Sequence, residues 1–468
     1  MPDYSCDALI IGSGQAGNPL ARTLAEAGRQ VILVEEAHLG GSCVNYGCVP
    51  TKMLLASATR AHEIRCAPTL GVEPAGAPTV DMPAVVERKD KLLAKSRRGL
   101  AEEMGPPEHP NITLLRGHAT FEGAHRVRVQ AGEHGQAHLV KAKEVFINVG
   151  THAAVPDVPG LAEAGFFTTT TLLDFKEVPE HLLIMGGGYI GLEYGQMFRH
   201  FGSKVTIIET GNSILDHEDK DVCDYLQKHL TEHEDIEFLL NSETHHVSRS
   251  EDGTYTLQVK TKNGERRLHG SHLLVATGRK PNTDKLGLET TGMQLDEKGF
   301  IQVNDGLETA EPGHYALGDV HGGPQFTHIS YDDFRVIRDN LLQGGHRSAK
   351  QRPLPYCVFT EPNLARIGLN EDQAREKGVP YRVAVMPTHK VARAQHTGQT
   401  AGFWKVLVGD DDQILGATIM GAEGGEIMTT LQVAMMGHLP YQDLQNMIIA
   451  HPTWSEGLNN VWQTLARP

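Results

Sequence analysis

Two cysteines five positions apart are the residues of this chain best suited to chemistry. Cys43 and Cys48 lie in residues 40–52, GGSCVNYGCVPTK. In a regular helix they would be separated by roughly 7.5 Å of axial rise, whereas a disulfide needs its Cα atoms closer than about 7 Å. The pair can therefore close only where the backbone bends, and Asn45 and Gly47 tolerate such a bend. A bent, reversible dithiol is a redox device.

Two other interpretations of the pair are a structural disulfide and half of a metal site. The first is typical of secreted proteins, and the chain has no secretory features. The second lacks two further ligands at metal spacing, so we expect no metal site. The remaining cysteines are scattered and are interpreted as small apolar residues: Cys6, Cys66, Cys223 and Cys357.

Length and charge limit the classes of protein to consider. The 468 residues suggest about three domains. A net charge of −15 predicts no basic face, so no nucleic acid partner is expected. Residues 1–5 lack a basic n-region and an apolar h-region, and no window of about eighteen uncharged apolar residues occurs. We therefore expect a cytoplasmic protein without a membrane partner.

A dinucleotide-binding unit precedes the cysteines. An apolar strand at 7–11 leads into Gly12, Gly14 and Gly17, a helix at 20–27, and a second strand at 31–34 that ends in Glu35. The glycines allow a tight turn and let backbone N–H groups approach a pyrophosphate at the helix N-terminus. Glu35 is placed to accept from an adenosine ribose. A dithiol beside this unit needs a two-electron carrier, for which a flavin is the natural candidate.

A second unit repeats this arrangement. A strand at 182–185 leads into Gly186, Gly188 and Gly191, and a further strand at 205–208 ends in Glu209. This carboxylate would bond a free ribose 2′-OH and repel a 2′-phosphate. No Arg follows in residues 210–213, so we expect NADH rather than NADPH. The unit returns through a strand from 273 and a turn that contains Gly278.

The rest of the chain predicts helices at 53–65 and 81–104 and short antiparallel strands over 111–149. Asp319, at a strand end, is well placed to bond a ribityl hydroxyl, and a helix begins near Thr327. Strands at 383–386, 404–408 and 415–420, then helix from 424, predict a terminal α+β module. Residues 229–233 match the H-x-x-E-H pattern of metallopeptidases, but nothing around them supports zinc.

The motifs together resemble the class I flavoprotein disulfide reductases. GxGxxG, GGSCx4CVPTK, GGGYIGLE, ATGRKPN, ALGD and HPTxSE occur in this order and cover essentially the whole chain. The resemblance implies an α/β fold with two Rossmann-like dinucleotide-binding domains, for FAD and NAD, plus a C-terminal α+β dimerisation domain. The implied homodimer has an FAD domain at 1–155, an NAD domain at 156–275, a second FAD and central part at 276–350, and a dimerisation domain at 351–468.

The resemblance also implies a role for each active-site residue. Cys43 would be the interchange thiol that attacks substrate, and Cys48 the flavin-proximal thiol that forms a charge-transfer pair with oxidised FAD. Lys52 would lie near flavin N5 with Glu193 as its partner. An acid–base pair supplied by the other subunit would be His451 and Glu456. Further implied FAD contacts are Gly41, Ser42, Lys52, Ala119 and Thr327.

Two features relate the chain to one branch of the family. Residues 325–335 and Asn148-Val149 resemble the mercuric-reductase-like branch that includes reactive-chlorine-resistance flavoproteins. The C-terminal cysteine pair of mercuric reductase itself is not found, so weak turnover of Hg(II) is expected. The implied activity is reduction of a disulfide, a thiol-reactive oxidant or a soft metal by NADH. Alternatives are dihydrolipoamide dehydrogenase, or a redox sensor or electron-transfer partner, although His451 and Glu456 favour turnover because a departing thiol needs an acid.

Overall fold

The computed structural model describes residues 3–105, 108–132 and 135–467. The first stretch of chain alternates strands and helices and then forms consecutive strands. Its elements are β1 (Tyr4–Ile11), α1 (Gly17–Glu26), β2 (Val31–Glu35), α2 (Gly41–Asn45), α3 (Cys48–Cys66), α4 (Met82–Glu103), β3 (Ile112–Arg116), β4 (His118–Phe121), β5 (Arg126–Gln130), β6 (Ala137–Ile147) and β7 (Thr151–Ala153).

The middle stretch begins with two short helices and then repeats the strand–helix alternation. Its elements are α5 (Leu161–Ala164), α6 (Thr169–Leu172), β8 (His181–Met185), α7 (Tyr189–Phe201), β9 (Lys204–Ile208), α8 (Lys220–Glu232), β10 (Ile236–Leu239), β11 (Glu243–Arg249), β12 (Tyr255–Thr261), β13 (Gly264–Gly270), β14 (His272–Val275) and β15 (Arg279–Pro281).

The last stretch returns to the first sheet and then forms a sheet of its own. Its elements are β16 (His314–Ala316), α9 (Thr327–Leu342), β17 (Tyr356–Val358), β18 (Asn363–Gly368), α10 (Glu371–Glu376), β19 (Arg382–Pro387), α11 (Ala392–Thr397), β20 (Phe403–Val408), β21 (Ile414–Gly421), α12 (Gly424–Met436), α13 (Tyr441–Asn446) and α14 (Gly457–Asn460). Short 3₁₀ helices lie at Ala67–Leu70, Leu288–Thr290, Gly318–His321, Thr388–Lys390 and Val461–Thr464.

A mixed sheet and a parallel sheet hold the two glycine loops. In the first, the strand order is β3-β2-β1-β6-β5-β4, and β16 pairs with the middle of this sheet at β6. In the second, β10-β9-β8-β14 are all parallel. The central strands β1 and β8 are buried apolar runs, as strands covered on both faces must be, and each ends in a glycine loop that opens a helix. The predicted α/β class is confirmed.

The prediction that residues 111–149 form antiparallel strands is wrong for one strand. β3 pairs in parallel with β2 at the sheet edge. The antiparallel pairs are β4 with β5 and β5 with β6. A five-residue strand has the same alternation of exposed and buried side chains in either direction, so its pattern does not encode its pairing.

The C-terminal sheet is antiparallel, with the order β17-β18-β21-β20-β19. Helix α12 packs against β18 and β21. Trp404 lies wholly buried in the core between this sheet and the last helices. Among the described residues, no helix is both long enough and apolar enough to cross a lipid bilayer.

Candidate active site

The backbone bends between the two cysteines. Helix α2 ends at Asn45 and helix α3 begins at Cys48, and the intervening Gly47 has φ −128° and ψ −115°, outside the helical region. The Asn45 amide donates to the carbonyls of Leu39 and Gly41, each at 2.9 Å, which fixes the start of the segment. The bend that the spacing requires is therefore present at residues 46–47, whereas Asn45 itself remains helical.

The two thiols are inequivalent. Both are free; Cys43 is half-buried, while Cys48 is exposed and lies 3.1 Å from Oγ1 of Thr327. A hydrogen bond from Cys43 lowers the pKa of Cys48 to about 6, with smaller contributions from Thr327 and the Lys52 ammonium. Because Cys43 donates that bond and is withdrawn from solvent, its own pKa is raised. Of the two thiols, Cys48 is therefore the one on which a negative charge is favoured.

The first glycine loop leaves no room for side chains. A Cβ on Gly12, at φ +97°, would lie 2.4 Å from the carbonyl oxygen of Asn148, and one on Gly14 would lie 2.6 Å from Asn148 Oδ1. A Cβ on Gly17 would meet the Gly12 carbonyl oxygen at 2.2 Å. Gly41 completes the cradle, because its Cβ would lie 2.8 Å from Gly14 Cα. This close backbone packing fits the approach of a dinucleotide pyrophosphate.

The second loop has two of these close contacts. A Cβ on Gly186, at φ +111°, would lie 2.4 Å from the Ala276 carbonyl oxygen, and one on Gly191 would lie 2.1 Å from that of Gly186. Gly188 is the N-cap residue of α7 and its Cβ position is open. Gly278 has φ +123° in the turn that follows β14.

Glu35 and Glu209, the acidic residues at the ends of the two second strands, accept equivalent hydrogen bonds from the backbone. Oε2 of Glu35 accepts from the backbone N–H of Ser13 at 3.0 Å, and Oε1 accepts from that of Ala37 at 2.8 Å. Oε2 of Glu209 accepts from the N–H of Gly187 at 2.6 Å, and Oε1 from that of Gly211 at 2.7 Å. Each carboxylate is thus oriented at the end of its second strand, with lone pairs left for a ribose hydroxyl.

An ion pair lies one helical turn from the cysteines. Lys52 Nζ is 2.5 Å from Oε2 of Glu193, which is buried, and 4.3 Å from the centre of the Phe359 ring. The other Glu193 oxygen accepts from the Phe359 N–H at 2.9 Å. The expected partnership of Lys52 and Glu193 is therefore present as a contact, and the carboxylate is fixed by a third segment of chain.

Asp319 lies in the turn after β16. Its Oδ2 accepts from Thr151 Oγ1 at 3.0 Å. The preceding N–H, of Gly318, donates to Asp333 at 2.7 Å, so Asp333 anchors the turn. Ser42 lies in α2, in the wall beside Gly41, whereas the methyl group of Ala119 is buried in the core of the first sheet. Ala119 can therefore offer a cofactor only its backbone.

His451 and Glu456 form a pair remote from the thiols. Both carboxylate oxygens of Glu456 lie 2.9 Å from Nδ1 of His451, so Nε2 is the nitrogen left for another group. The His451 side chain is 65% exposed. Among the described residues, no hydrogen bond or ion pair within the chain links this pair to Cys43 or Cys48.

Sequence reasoning gave Asn148 no role in the site. Its Oδ1 accepts from the Gly17 N–H at 3.0 Å, and its Nδ2 donates to the Leu317 carbonyl at 2.7 Å. The side chain therefore ties the first glycine loop to the turn that holds Asp319. The sequence did carry a signal for this role. Asn148-Val149-Gly150 of the first unit matches Ala276-Thr277-Gly278 of the second, so a polar side chain stands at position 148 where the other unit has an alanine.

The comparisons with known proteins define the class. The profile of the family described as pyridine nucleotide-disulphide oxidoreductase matches residues 6–333, and that of the family's dimerisation domain matches residues 354–461. The chain belongs to the pyridine nucleotide-disulfide oxidoreductases, enzymes that use FAD and a pyridine nucleotide.

The relatives include members of the expected branch and dihydrolipoyl dehydrogenases. The chain is 36% identical over 460 residues to the probable pyridine nucleotide-disulfide oxidoreductase RclA of Escherichia coli (strain K12), covering 97% of this chain and 98% of that protein. It is 34% identical to a mercuric reductase of Lysinibacillus sphaericus, with 97% and 81% covered. A dihydrolipoyl dehydrogenase of Thermus scotoductus is 33% identical, with 98% and 97% covered.

A solved structure has the same fold. The Cu(II) complex of the HOCl-induced flavoprotein disulfide reductase RclA from Escherichia coli superposes with a TM-score of 0.88 at 35% identity, covering 98% of this chain and 99% of that one. The expected resemblance to flavoprotein disulfide reductases is confirmed.

Proposed function

We propose that this enzyme uses NADH to reduce a disulfide, a thiol-reactive oxidant or a soft metal ion at Cys43. The observation that carries the proposal is the inequivalence of the two thiols. Cys48, with its pKa lowered to about 6, is the thiolate that faces Thr327, and Cys43 holds the proton. Bound FAD would carry electron pairs from the nicotinamide to the cysteine pair.

With a disulfide substrate, the chain's own groups account for the thiol chemistry. Cys43 gives its proton to a base, and its thiolate attacks one substrate sulfur, which breaks the substrate S–S bond. The departing thiolate takes that proton back from the base. The Cys48 thiolate then attacks Cys43, which closes the Cys43–Cys48 disulfide and releases the second substrate sulfur as a thiolate that takes its proton from solvent. The step therefore needs one base close to Cys43.

We assign that base to His451 of the partner subunit. Among the described residues, His451 makes no hydrogen bond to the thiols of its own chain, and Glu456 orients its ring so that Nε2 remains available. The segment around it is unusually apolar for a surface, because Ile448 is fully exposed and Met436 and Val433 are 67% and 62% exposed. A dimer that buries these side chains would bring His451 to the other chain's Cys43.

Glu209 supports the choice of NADH. Its carboxylate is fixed by the N–H groups of Gly187 and Gly211 and cannot swing away from a ribose at this position. A 2′-phosphate there would meet a fixed negative charge. Lys52 is held by Glu193 and Phe359, in keeping with a cation that lies beside the flavin ring.

The test is steady-state oxidation of NADH and NADPH by the FAD-loaded enzyme against a panel of acceptors. The panel contains lipoamide, glutathione disulfide, hypothiocyanite, Cu(II) and Hg(II), chosen because relatives include dihydrolipoyl dehydrogenases, mercuric reductases and a reductase solved with Cu(II). We expect turnover with at least one acceptor, lost in Cys43→Ser. If no acceptor is turned over, or if Cys43→Ser turns over as fast as the parent, the proposal is wrong.

A further inference from the structure

A second cluster of metal-ligating side chains lies at the far end of the helix that begins with Cys48. His62 on α3 stacks on His200 of α7, with ring centroids 4.1 Å apart. Glu361, in the loop before β18, completes the group, and one donor atom of each of these three residues lies within 4.8 Å of the other two. His62 lies fourteen residues after Cys48, about 21 Å along the helix axis.

From this cluster we propose that His62, His200 and Glu361 bind one divalent cation of the Zn²⁺ type. Two imidazoles and one carboxylate are the donor set that such cations accept. Ligands at about 2.1 Å in tetrahedral geometry stand about 3.4 Å apart, so the observed group must contract by about 1.4 Å or less at its widest.

Charge supports a cation at this place. Glu234 lies beside the cluster, buried, with its Oε1 3.0 Å from His200 Nε2 and 3.9 Å from His62 Nδ1. Glu361 Oε2 is 3.9 Å from His62 Nε2. Among the described residues, no lysine or arginine forms an ion pair with either carboxylate. The carboxylates of Glu234 and Glu361 thus have the rings of His62 and His200 as their neighbouring basic groups. With neutral imidazoles the cluster carries excess negative charge, which a bound cation would balance.

The carboxylates also suit two different tasks. The Glu234 oxygen is fixed by His200 and by the amide of Gln196 at 3.1 Å, so it is placed to orient the His200 ring. Such an outer carboxylate is the usual partner of a metal-binding histidine. Glu361 is more exposed; among the described residues its carboxylate accepts one hydrogen bond, from Thr59 Oγ1 to Oε1 at 2.6 Å, which leaves Oε2 for the ion.

The site has an entry path and one adjustable ligand. His200 is buried, but the His62 side chain is 26% exposed and that of Glu361 is 32% exposed, so an ion can enter from solvent between them. The two rings are stacked with an interplanar angle of 21°, and we expect His62 to turn so that one nitrogen of each ring faces the ion. His62 Nε2 lies 3.3 Å from the thiol of Cys66, which is exposed and is not one of the three ligands.

This site differs from both metal interpretations weighed from sequence. The H-x-x-E-H pattern at 229–233 contributes none of the three ligands. The redox cysteines contribute none either, so the site can be tested without them.

The probe is Zn²⁺, added to FAD-loaded protein that carries Cys43→Ser and Cys48→Ser, which removes the dithiol as a competing ligand. Bound metal is measured after equilibrium dialysis, and affinity by competition with a chromophoric chelator. We expect one Zn²⁺ per chain, an affinity lower by about tenfold or more in His62→Ala and in Glu361→Gln, and unchanged affinity in the matched control His233→Ala.

A second measurement distinguishes the loss of a metal ligand from misfolding of the variant. Because the ligands come from α3, α7 and the loop before β18, Zn²⁺ should raise the Tm of the parent and not that of His62→Ala, with equal FAD content in both. Absence of a stoichiometric Zn²⁺, or unchanged affinity in both ligand variants, would overturn the proposal. The redox function can fail or hold independently, since the tested protein lacks its cysteines.

Discussion

Thr327 Oγ1 lies 3.1 Å from Cys48 Sγ, so the first residue of helix α9 touches the thiol on the first residue of helix α3. Two helix N-termini, which come from distant parts of the chain, therefore meet at one sulfur. Positive partial charge at both termini favours a thiolate there over a neutral thiol. The neighbouring Lys52 ammonium adds to this effect.

Replacing Thr327 by Val should raise the pKa of Cys48. A hydrogen bond to a charged group contributes about 1.5–3 kcal/mol, which corresponds to a rise of about one to two pKa units. The measurement is a pH titration of thiolate absorbance in the reduced protein. The matched control is Thr51→Val, because Thr51 lies on α3, as Cys48 does, but bonds the Tyr194 hydroxyl at 3.1 Å. Equal shifts in the two variants would contradict the argument.

The two cysteine variants should have different visible spectra in the FAD-loaded protein. Cys43→Ser should leave a Cys48 thiolate beside the flavin and a long-wavelength charge-transfer band, whereas Cys48→Ser should lack the band and still bind FAD. In Cys43→Ser, Thr327 and the Lys52 ammonium still favour the Cys48 thiolate, so the band should fade as the pH is lowered and the sulfur takes up a proton. Identical spectra would show that the assignment of the two thiols is wrong.

The parts of the site that lie close in sequence could be predicted. The strand before Gly12 and the acid after the second strand were both expected, because strand period, glycine spacing and acid position are local properties. The role of Asn148 was not predicted, since its hydrogen bond to Gly17 joins residues 131 positions apart. Strand β18 was also not predicted, because Arg366 in its middle suggests exposure, whereas the buried Glu218 compensates its charge at 3.3 Å.

Clusters assembled from several segments could not be predicted. His62, His200 and Glu361 come from two helices and a loop, and none has the local spacing that marks a metal site. Their juxtaposition depends on the packing of α3 on α7 and on the hydrogen bonds of Glu361 to Thr59 of α3 and to Gln196 of α7. Similarly, the contact of Glu193 with Phe359 joins segments 166 residues apart.

Glu209→Ala should narrow the preference for NADH. The carboxylate loses its ribose hydrogen bond and its repulsion of a 2′-phosphate, and together these exceed about 1.4 kcal/mol, or tenfold in kcat/KM. We expect the parent to favour NADH by at least about tenfold and the variant by clearly less. Asp216→Asn, whose side chain is 79% exposed, is the matched control and should keep the parental ratio. A parent enzyme that prefers NADPH would refute the role of Glu209.

A mixed dimer tests whether His451 acts across the interface. Cys43→Ser and His451→Ala should each reduce substrate far more slowly than the parent, because one lacks the nucleophile and the other its base. Suppose that each site takes its cysteines from one chain and its histidine from the other. One site of the mixed dimer then carries both substitutions, and the other site has the native Cys43 and the native His451. Co-expression with two tags, purification of the mixed species and steady-state assay should then give about half of the parental turnover.

The matched control for this experiment is a mixed dimer of Cys43→Ser with Cys48→Ser. Both cysteines of a site lie on one chain, five residues apart on either side of the bend at Gly47, so each site of the control dimer lacks one thiol. It should remain inactive. A Cys43→Ser/His451→Ala dimer that is equally inactive would show that His451 does not act across the interface.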